Sequence, residues 1–290
     1  MHNFIPMIAI KFLADTSFDT LYEAWQDAFS EYEKTWTKDE MIRSQRRRGY
    51  SAELSFGAFD GESLVSCICN CRGVFGGVST IYDSGTGTIK SYRGQGLTAR
   101  VFWESLPYLR LSGAQQYLLE VLQHNAAAVK VYTNAGFNVT RELNYFVGEA
   151  ADVKPAARTL PEGLRLHGVG LDNLETVSAM WDFEPSWQNG IECIQRNPGD
   201  FLMVGVSEGE RLVGYGIIEP ETGDVPQIAV NKVFRRRGVG NAIYCELLKL
   251  CRSQTVKVIN TDVKCAGVTS FFECMGMPLR GRQYEMMLRW

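Results

Sequence analysis

Glu120 and Tyr132 are the two side chains of the first half of the sequence that are best suited to proton transfer. Glu120 stands inside the apolar run Tyr117–Leu122, an unusual place for a carboxylate. Partial burial would raise the pKa of this carboxyl and make it a better proton acceptor near neutral pH. An acid on the solvent side of a strand, hydrogen-bonded to a neighbour, explains the same residue equally well.

Tyr132 follows Asn125 by seven residues, which is two turns of a helix, so both side chains can face one groove. A tyrosine hydroxyl can donate a proton, and an asparagine amide can hold a polar ligand chain. Taken alone, however, Tyr132 is more simply interpreted as a core aromatic.

A glycine-containing turn opens the helix that precedes these residues. It consists of Arg93, Gly94, Gln95, Gly96, Leu97, Thr98 and Ala99. Glycines allow backbone amides to crowd together, and the first N–H groups of the helix point outward with the positive end of the dipole behind them. Such a turn can bind a phosphate or pyrophosphate, although most turns of this kind are plain connections.

The second half of the sequence repeats this turn. The second turn consists of Arg235, Arg236, Arg237, Gly238, Val239 and Gly240. Arg235 follows Arg93 at almost the same distance along the chain as Gly276 follows Gly136. Self-similarity at one long spacing indicates a duplicated domain.

The order Arg-x-x-Gly-x-Gly, helix, strand and then Asn…Tyr…Gly-Phe resembles the GNAT N-acetyltransferase superfamily. The first copy carries the pattern on Arg93, Gly96, Thr98, Asn125, Tyr132, Gly136 and Phe137. The second copy carries Arg235, Gly238, Gly240, Phe272 and Gly276. The whole chain therefore resembles a tandem, two-domain member.

The resemblance implies an α/β fold with mixed sheets (α+β in its strand arrangement). Each of two GNAT-like domains would have a central, mostly antiparallel sheet with a splayed strand pair, flanked by helices. We place the first domain at residues 1–150, a linker at 151–162 and the second domain at 163–290.

The resemblance also assigns roles, with acetyl-CoA as cosubstrate. The backbone near Thr88 would contact pantetheine, the amides of Gly94 to Ala99 would hold the pyrophosphate, and the turn from Arg235 to Gly240 would do so in the second copy. Asn125 would hydrogen-bond pantetheine, Tyr132 would protonate the leaving thiolate, and Glu120 would act as general base, through water. Thr98 departs from the small Gly or Ala usual in the family; its Cβ narrows the approach, and its hydroxyl could donate to phosphate.

The second copy has the poorer catalytic set. By spacing, Glu120 corresponds to Asn260, Asn125 to Cys265, and Tyr132 to Phe272. Phenylalanine cannot donate a proton, and asparagine cannot act as a base. We predict that the first domain is the catalyst. The second, degenerate domain would bind CoA without turnover, serve as scaffold, or use a different donor group.

We predict transfer of an acetyl group from acetyl-CoA to a primary amine by direct attack in a ternary complex. Two alternatives stay open: a non-catalytic regulatory protein that binds acyl-CoA, and a transferase that uses aminoacyl-tRNA. The acceptor site would be shaped by the loops Glu31–Trp36 and Asp182–Asn189, whose aromatic and acidic residues are typical of sites for a cationic amine.

Composition narrows the class of protein. Apolar content of 45% with 22% charged residues is typical of a globular chain. With 30 basic and 33 acidic residues there is no basic excess, so we do not expect a nucleic-acid partner. The N-terminus does not resemble a signal peptide and no apolar run could cross a bilayer, so we expect a cytoplasmic protein without a membrane partner. The sequence does not indicate the oligomeric state.

The eight cysteines form no CxxC pair and are accompanied by three histidines. Metal sites need more ligands at turn-like spacing, so we predict reduced core thiols and no metal site.

Overall fold

The computed structural model describes residues 8–31, 36–153, 155 and 158–290. Part of the first predicted strand (4–7) and most of the first predicted acceptor loop (32–35) lie outside the described residues. The chain divides into two compact units. We call residues 1–140 with 285–290 the first unit and residues 141–284 the second unit.

The first unit is a mixed sheet with helices. Its elements are β1 (Ala9–Phe12), α1 (Phe18–Phe29), α2 (Lys38–Arg48), β2 (Phe56–Asp60), β3 (Ser63–Phe75), β4 (Val78–Thr88), α3 (Leu97–Leu111), β5 (Gln116–Leu122) and α4 (Ala126–Asn134). The strand order is β1-β2-β3-β4-β5. Neighbouring strands are antiparallel except for β4 and β5, which are parallel.

The second unit repeats this arrangement. Its elements are β6 (Asn138–Glu149, from residue 141), β7 (Leu164–Val169), α5 (Ile191–Arg196), β8 (Leu202–Glu208), β9 (Arg211–Glu219), β10 (Asp224–Val230), α6 (Val239–Leu250), β11 (Thr255–Asp262), α7 (Ala266–Cys274) and β12 (Leu279–Arg289, to residue 284). The strand order is β6-β11-β10-β9-β8-β7, with β10 and β11 parallel. The mixed α/β class expected for both halves is confirmed.

Two strands change units along their length. Residues 141–149 of β6 belong to the second unit, and residues 285–289 of β12 belong to the first, where they lie beside β5. Each sequence repeat thus gives part of its last strand to the other unit. The domain limits 1–150 and 163–290 stay a prediction drawn from the linear sequence.

The first two helices begin at the residues that the sequence indicates. The Ser17 side chain accepts a hydrogen bond from the Thr20 N–H at the start of α1. Thr37 and Glu40 form a reciprocal capping box at the start of α2, and Gly49 ends that helix with a φ of 87°. Thr37 is confirmed as the cap of this helix.

One helix differs from its prediction. The sequence predicts a helix over Asn173–Trp181, whereas residues Leu171–Met180 form a 3₁₀ segment. The buried side chains Leu174, Val177 and Met180 recur every three residues, which matches three residues per turn better than 3.6. The short helix α5 was not predicted.

Glycines in β4 allow α1 to pack closely on this strand. A Cβ on Gly85 would lie 1.9 Å from the Trp25 ring, and a Cβ on Gly87 would lie 2.9 Å from the Cβ of Ala28. The close approach fixes the position of α1 beside the second half of β4.

The alternating cysteines of β3, Cys67, Cys69 and Cys71, are buried and free, as predicted for core thiols. Within the described part of the chain, no helix is both long and apolar enough to span a bilayer.

Candidate active site

The parallel strands β4 and β5 separate part-way along their length. They pair from Thr80 with Gln116 to Asp83 with Leu119, while β4 continues to Thr88. The register between β3 and β4 shifts at the same point and leaves Ser84 as an extra residue. A bulge bends its strand, so β4 turns away from β5 immediately after Asp83. The splayed pair implied by the resemblance is confirmed.

Tyr132 reaches this point from α4. Its hydroxyl donates to Asp83 Oδ2 at 3.0 Å, and the Thr86 hydroxyl donates to the same oxygen at 2.6 Å. The Gly85 N–H donates to Asp83 Oδ1 at 2.8 Å. Burial raises the pKa of the Asp83 carboxyl, although these three hydrogen bonds act in the opposite direction. The tyrosine and this carboxyl form a buried pair that the sequence did not indicate.

Glu120 lies on β5 and is half-buried. The hydroxyl of Tyr82, on the neighbouring strand, donates to Glu120 Oε2. Burial, followed by the nearby Glu120 charge, raises the pKa of Tyr82 well above its ordinary value. Two acid–tyrosine pairs therefore flank the point of divergence, Asp83 with Tyr132 and Glu120 with Tyr82.

Asn125 begins α4. Its side-chain oxygen accepts a hydrogen bond from the Ala128 N–H at 3.1 Å, so the carbonyl of the amide caps the helix. Gly136 follows the end of the helix with a φ of 96°. The amide group of Asn125 thus has its NH₂ side as the part suited to a ligand.

The turn before α3 has the conformation expected of an anion-binding loop. Gly94 and Gly96 have φ values of 76° and 73°. A Cβ on either residue would meet nothing within 4 Å, so glycine is favoured here by backbone conformation and not by crowding. Gln95 is exposed between them, and α3 starts at Leu97. The amides at the start of α3 remain a predicted pyrophosphate site.

Thr98 is tied to β4. Its hydroxyl lies 3.0 Å from the hydroxyl of Thr88, which in turn lies 2.8 Å from that of Ser66. The residue that departs from the family pattern therefore links the first turn of α3 to the strand beside it.

Arg93 binds the chain itself at three points. Its guanidinium donates to Glu31 Oε2 at 2.6 Å, to the Ala28 carbonyl at 2.9 Å and to the Thr88 carbonyl at 3.4 Å. Arg93 thus joins the end of α1, the end of β4 and the turn. These contacts indicate that this arginine holds the loop in shape.

Arg235 repeats the same three contacts in the second unit. It donates to Asp182 Oδ1 at 2.8 Å, to the Met180 carbonyl at 3.4 Å and to the Val230 carbonyl at 2.9 Å. The duplication therefore preserves the arginine's structural role as well as the glycine turn.

The second turn reaches the left-handed conformation with an arginine. Arg236, at the position of Gly94, has a φ of 61°, and Gly238 has a φ of 85°. A side chain at positive φ is strained, so the surrounding loop must impose this conformation. Arg237 is exposed beside it, and α6 starts at Val239.

The positions of the buried acid–tyrosine pair are apolar in the second unit. Val225 follows Asp83 at the spacing that separates the two turns, and Phe272 follows Tyr132 at the spacing that separates Gly136 from Gly276. Val225 and Phe272 lie in the buried core of this unit.

Asn260, the counterpart of Glu120, also differs in conformation. It has a φ of 61° and contacts Ser186 and Gln283 through its amide.

A cavity of about 500 Å³ lies beside the second turn. Its cations and its glycine are Arg235, Arg236, Lys264 and Gly240, and Cys265 lies at its edge before α7. The first unit has Thr98 at the position of Gly240. The cavity, its positive charge and the helix start fit a CoA-like ligand.

The adjoining space towards β10 is small, about 50 Å³. A hydrogen-bond chain crosses it: Trp181 Nε1 donates to the Tyr215 hydroxyl at 2.7 Å, which donates to Gln227 Oε1 at 2.7 Å. Gln227 Nε2 then donates to the Asn189 carbonyl at 2.6 Å. Polar side chains occupy the region where an acceptor amine would have to enter this unit.

Comparison with known sequences agrees with the duplicated pattern. A sequence model of the acetyltransferase (GNAT) family matches residues 18–137 and again residues 170–277. The chain belongs to this family. Two regions of one chain match, so this is a tandem GNAT protein.

Among curated proteins, N-alpha-acetyltransferase 30 of Schizosaccharomyces pombe is 31% identical over 86 residues. That match covers 29% of this chain and 57% of the yeast protein. The chain therefore spans little more than half of the length of this relative.

Solved structures share the tandem fold. A tandem GNAT protein from the clavulanic acid biosynthesis pathway has a TM-score of 0.74 at 10% identity and covers 98% of both chains. A GCN5-related N-acetyltransferase from Sphaerobacter thermophilus has a TM-score of 0.70 at 16% identity, covering 98% of this chain and 95% of the other. At these identities the similarity concerns the fold alone.

Within this GNAT framework, the structure brings Tyr132 and Glu120 to the same strand divergence and places the glycine turn at the end of β4. It also adds Asp83, which sequence reasoning missed. The available signal was a lone acid in the Ser-, Thr- and Gly-rich segment 79–88, interpreted only as a strand. The roles of all these residues stay predictions.

Proposed function

We propose that the first unit transfers an acetyl group from acetyl-CoA to a primary amine by direct attack within a ternary complex. The observation that carries this proposal is the divergence of β4 from β5, with Glu120 and Tyr132 beside it and a left-handed glycine turn at its end. Acetyl-CoA would supply the thioester carbonyl.

Each of the first unit's residues has a defined task in this scheme. The amides of Gly94 to Ala99 bind the pyrophosphate, and the NH₂ of Asn125 together with the Thr88 backbone binds the pantetheine arm. Glu120 takes a proton from the amine, through water, and Tyr132 gives a proton to the departing sulfur. Backbone amides beside the bulge are placed to polarise the carbonyl.

The second unit binds CoA without turnover. Its positive cavity and Gly240 suit the cofactor, whereas Val225, Phe272 and Asn260 offer neither acid nor base. The hydrogen-bond chain through Tyr215 further closes the acceptor side.

The first acceptors to test are peptides with a free α-amine, because the yeast relative is named as an N-alpha-acetyltransferase. Polyamines, amino acids and aminoglycosides extend the screen. We expect free CoA to be released only when an acceptor is present, with a matching mass increase of the acceptor. Binding of acetyl-CoA without acceptor-dependent release across the screen would instead support the non-catalytic regulatory protein.

Aminoacyl-tRNA is the remaining alternative donor. The chain carries no excess of basic residues, which opposes binding of a phosphate backbone. Transfer from charged tRNA in the absence of acetyl-CoA would replace the proposed function.

A further inference from the structure

Asp83 is a buried carboxylate at the strand divergence to which the proposed function gives no task. Its exposed fraction is 7%, and it is the last residue of β4 that pairs with β5. A carboxylate in such a place is costly unless its oxygens are hydrogen-bonded. Three donors meet that need, and one of them is the hydroxyl of Tyr132.

The contact fixes the direction of the Tyr132 hydroxyl. The ring is held edge-on against Phe137, with centroids 5.7 Å apart, so the hydroxyl can move little once the ring is packed. The 3.0 Å bond to Asp83 sets the remaining rotation about the C–O bond. Any proton that leaves Tyr132 leaves it from a position that Asp83 controls.

We propose that Asp83 is a positioning residue that orients the Tyr132 hydroxyl and returns a proton to it in each turnover. The inference rests on the proposed acetyl transfer by the first unit and adds a residue to it.

The steps balance. The O–H bond of Tyr132 breaks as its proton forms the S–H bond of the departing thiol. The proton on the Asp83 carboxyl then moves to the Tyr132 oxygen and leaves Asp83 as a carboxylate. Asp83 regains a proton from water by way of the half-buried Thr86 hydroxyl, 2.6 Å away. Glu120 releases the proton taken from the amine, so the protein returns to its starting state.

The surroundings of Asp83 favour the protonated carboxyl that this relay needs. Burial raises its pKa. The groups that face it are Tyr132 from α4, Tyr117 from β5 and Cys69 from β3, all uncharged at neutral pH. From α2, the cation Arg48 donates to the carbonyl of the next residue, Ser84, at 3.2 Å.

The second unit supports the pairing independently. The positions of Asp83 and Tyr132 are both apolar there, Val225 and Phe272. Loss of one partner alone would leave a buried polar atom without its hydrogen bond, at a cost of about 1–3 kcal/mol. The unit that lacks the tyrosine hydroxyl therefore also lacks the carboxylate, as expected if the two act together.

The test combines kinetics with NMR of the full chain labelled with ¹³Cζ-tyrosine. The Tyr132 signal is assigned by its loss in Tyr132→Phe. In Asp83→Asn we expect the signal to shift, kcat to fall at least about tenfold with an unchanged KM for acetyl-CoA, and the limb of the pH profile due to Asp83 to disappear. Asp83→Asn combined with Tyr132→Phe should be no slower than Tyr132→Phe alone.

A matched control exists in the same unit. Asp60 accepts a hydrogen bond from the Tyr92 hydroxyl, so Asp60→Asn changes another acid–tyrosine pair outside the proposed site. We expect it to shift the Tyr92 signal and leave kcat unchanged. Should Asp83→Asn fail to fold, Thr86→Val decides: the relay predicts a lower kcat at unchanged KM, and an unchanged kcat overturns it.

The two proposals fail in different ways. An active wild type whose kcat and Tyr132 signal are unaffected by Asp83→Asn overturns the relay and leaves acetyl transfer standing. Multiplicative losses in the double variant also overturn it. A wild type that acetylates no acceptor, although Asp83→Asn still shifts the Tyr132 signal, overturns the proposed function instead.

Discussion

The two units share their loop architecture and differ in the groups able to move protons. Arg93 and Arg235 contact matching partners: an acid, the carbonyl at the end of the preceding helical segment and the last carbonyl of the strand. Both turns place a left-handed residue one and three positions after the arginine. The shared part of the site is the part that binds a cofactor.

The difference lies at the strand divergence. The first unit has Asp83 with Tyr132 and Glu120 with Tyr82, whereas the second has a valine and a phenylalanine in place of the first pair. The comparison teaches that binding of a cofactor and transfer of protons are separable in this fold. Residue exchanges between the units can test that separation.

The largest expected effect belongs to the tyrosine. Tyr132→Phe removes the proposed proton donor, so we expect kcat to fall about 10²- to 10³-fold with little change in acetyl-CoA binding. The reciprocal Phe272→Tyr should create no activity, because Val225 cannot pair with the new hydroxyl. Steady-state kinetics with the best acceptor checks both. An unchanged kcat in Tyr132→Phe would remove Tyr132 from the mechanism.

This contrast was partly visible in the sequence. The change of Tyr132 to Phe272 follows from spacing alone, as does the duplicated turn. Asp83 could not be found in that way, because its importance depends on the bulge at Ser84 and on the hydroxyl that α4 brings to it. Neither is encoded in a local pattern.

The role of Arg93 shows the same limit. The motif indicates a cation near an anion site, whereas the folded chain directs this guanidinium to Glu31, Ala28 and Thr88. Those partners are as many as 65 residues away along the chain, so tertiary packing decides what the residue binds. Helix caps, which depend on neighbours three residues apart, were predicted correctly at Thr37.

A second exchange concerns the space above the turn. Gly240 lines the cavity of the second unit, and a Cβ there would lie 3.3 Å from the Phe271 ring. We expect Gly240→Thr to weaken binding of CoA by the second unit about tenfold, and Thr98→Gly to strengthen binding by the first. Calorimetric titration of the full chain should then show a changed ratio between two sites. One site of unchanged affinity in Gly240→Thr would contradict binding by the second unit.

A third exchange separates structural from ligand contacts of the arginines. Arg93→Ala and Arg235→Ala each remove hydrogen bonds from a charged group that is partly exposed, which we expect to cost about 1–2 kcal/mol of the free energy of unfolding. Thermal unfolding measures this loss, and Asp182→Asn, which keeps the size of one partner, should cost less than Arg235→Ala. If acetyl-CoA binding falls strongly while stability is unchanged, the arginines are phosphate ligands after all.

The smallest effect tests the strained arginine of the second turn. Arg236 has a φ of 61° where the first turn has Gly94 with a φ of 76°. A left-handed conformation costs an L-residue about 1–2 kcal/mol more than it costs glycine. Gly94→Arg should therefore lower the free energy of unfolding by about 1 kcal/mol, and Arg236→Gly should raise it by a similar amount, offset in part by the greater chain entropy of glycine. Arg237→Gly, at an exposed neighbour, is the control and should lower stability. If Arg236→Gly is no more stable than Arg237→Gly, the loop does not impose its conformation on the arginine, and the turns of the two units are alike only in outline.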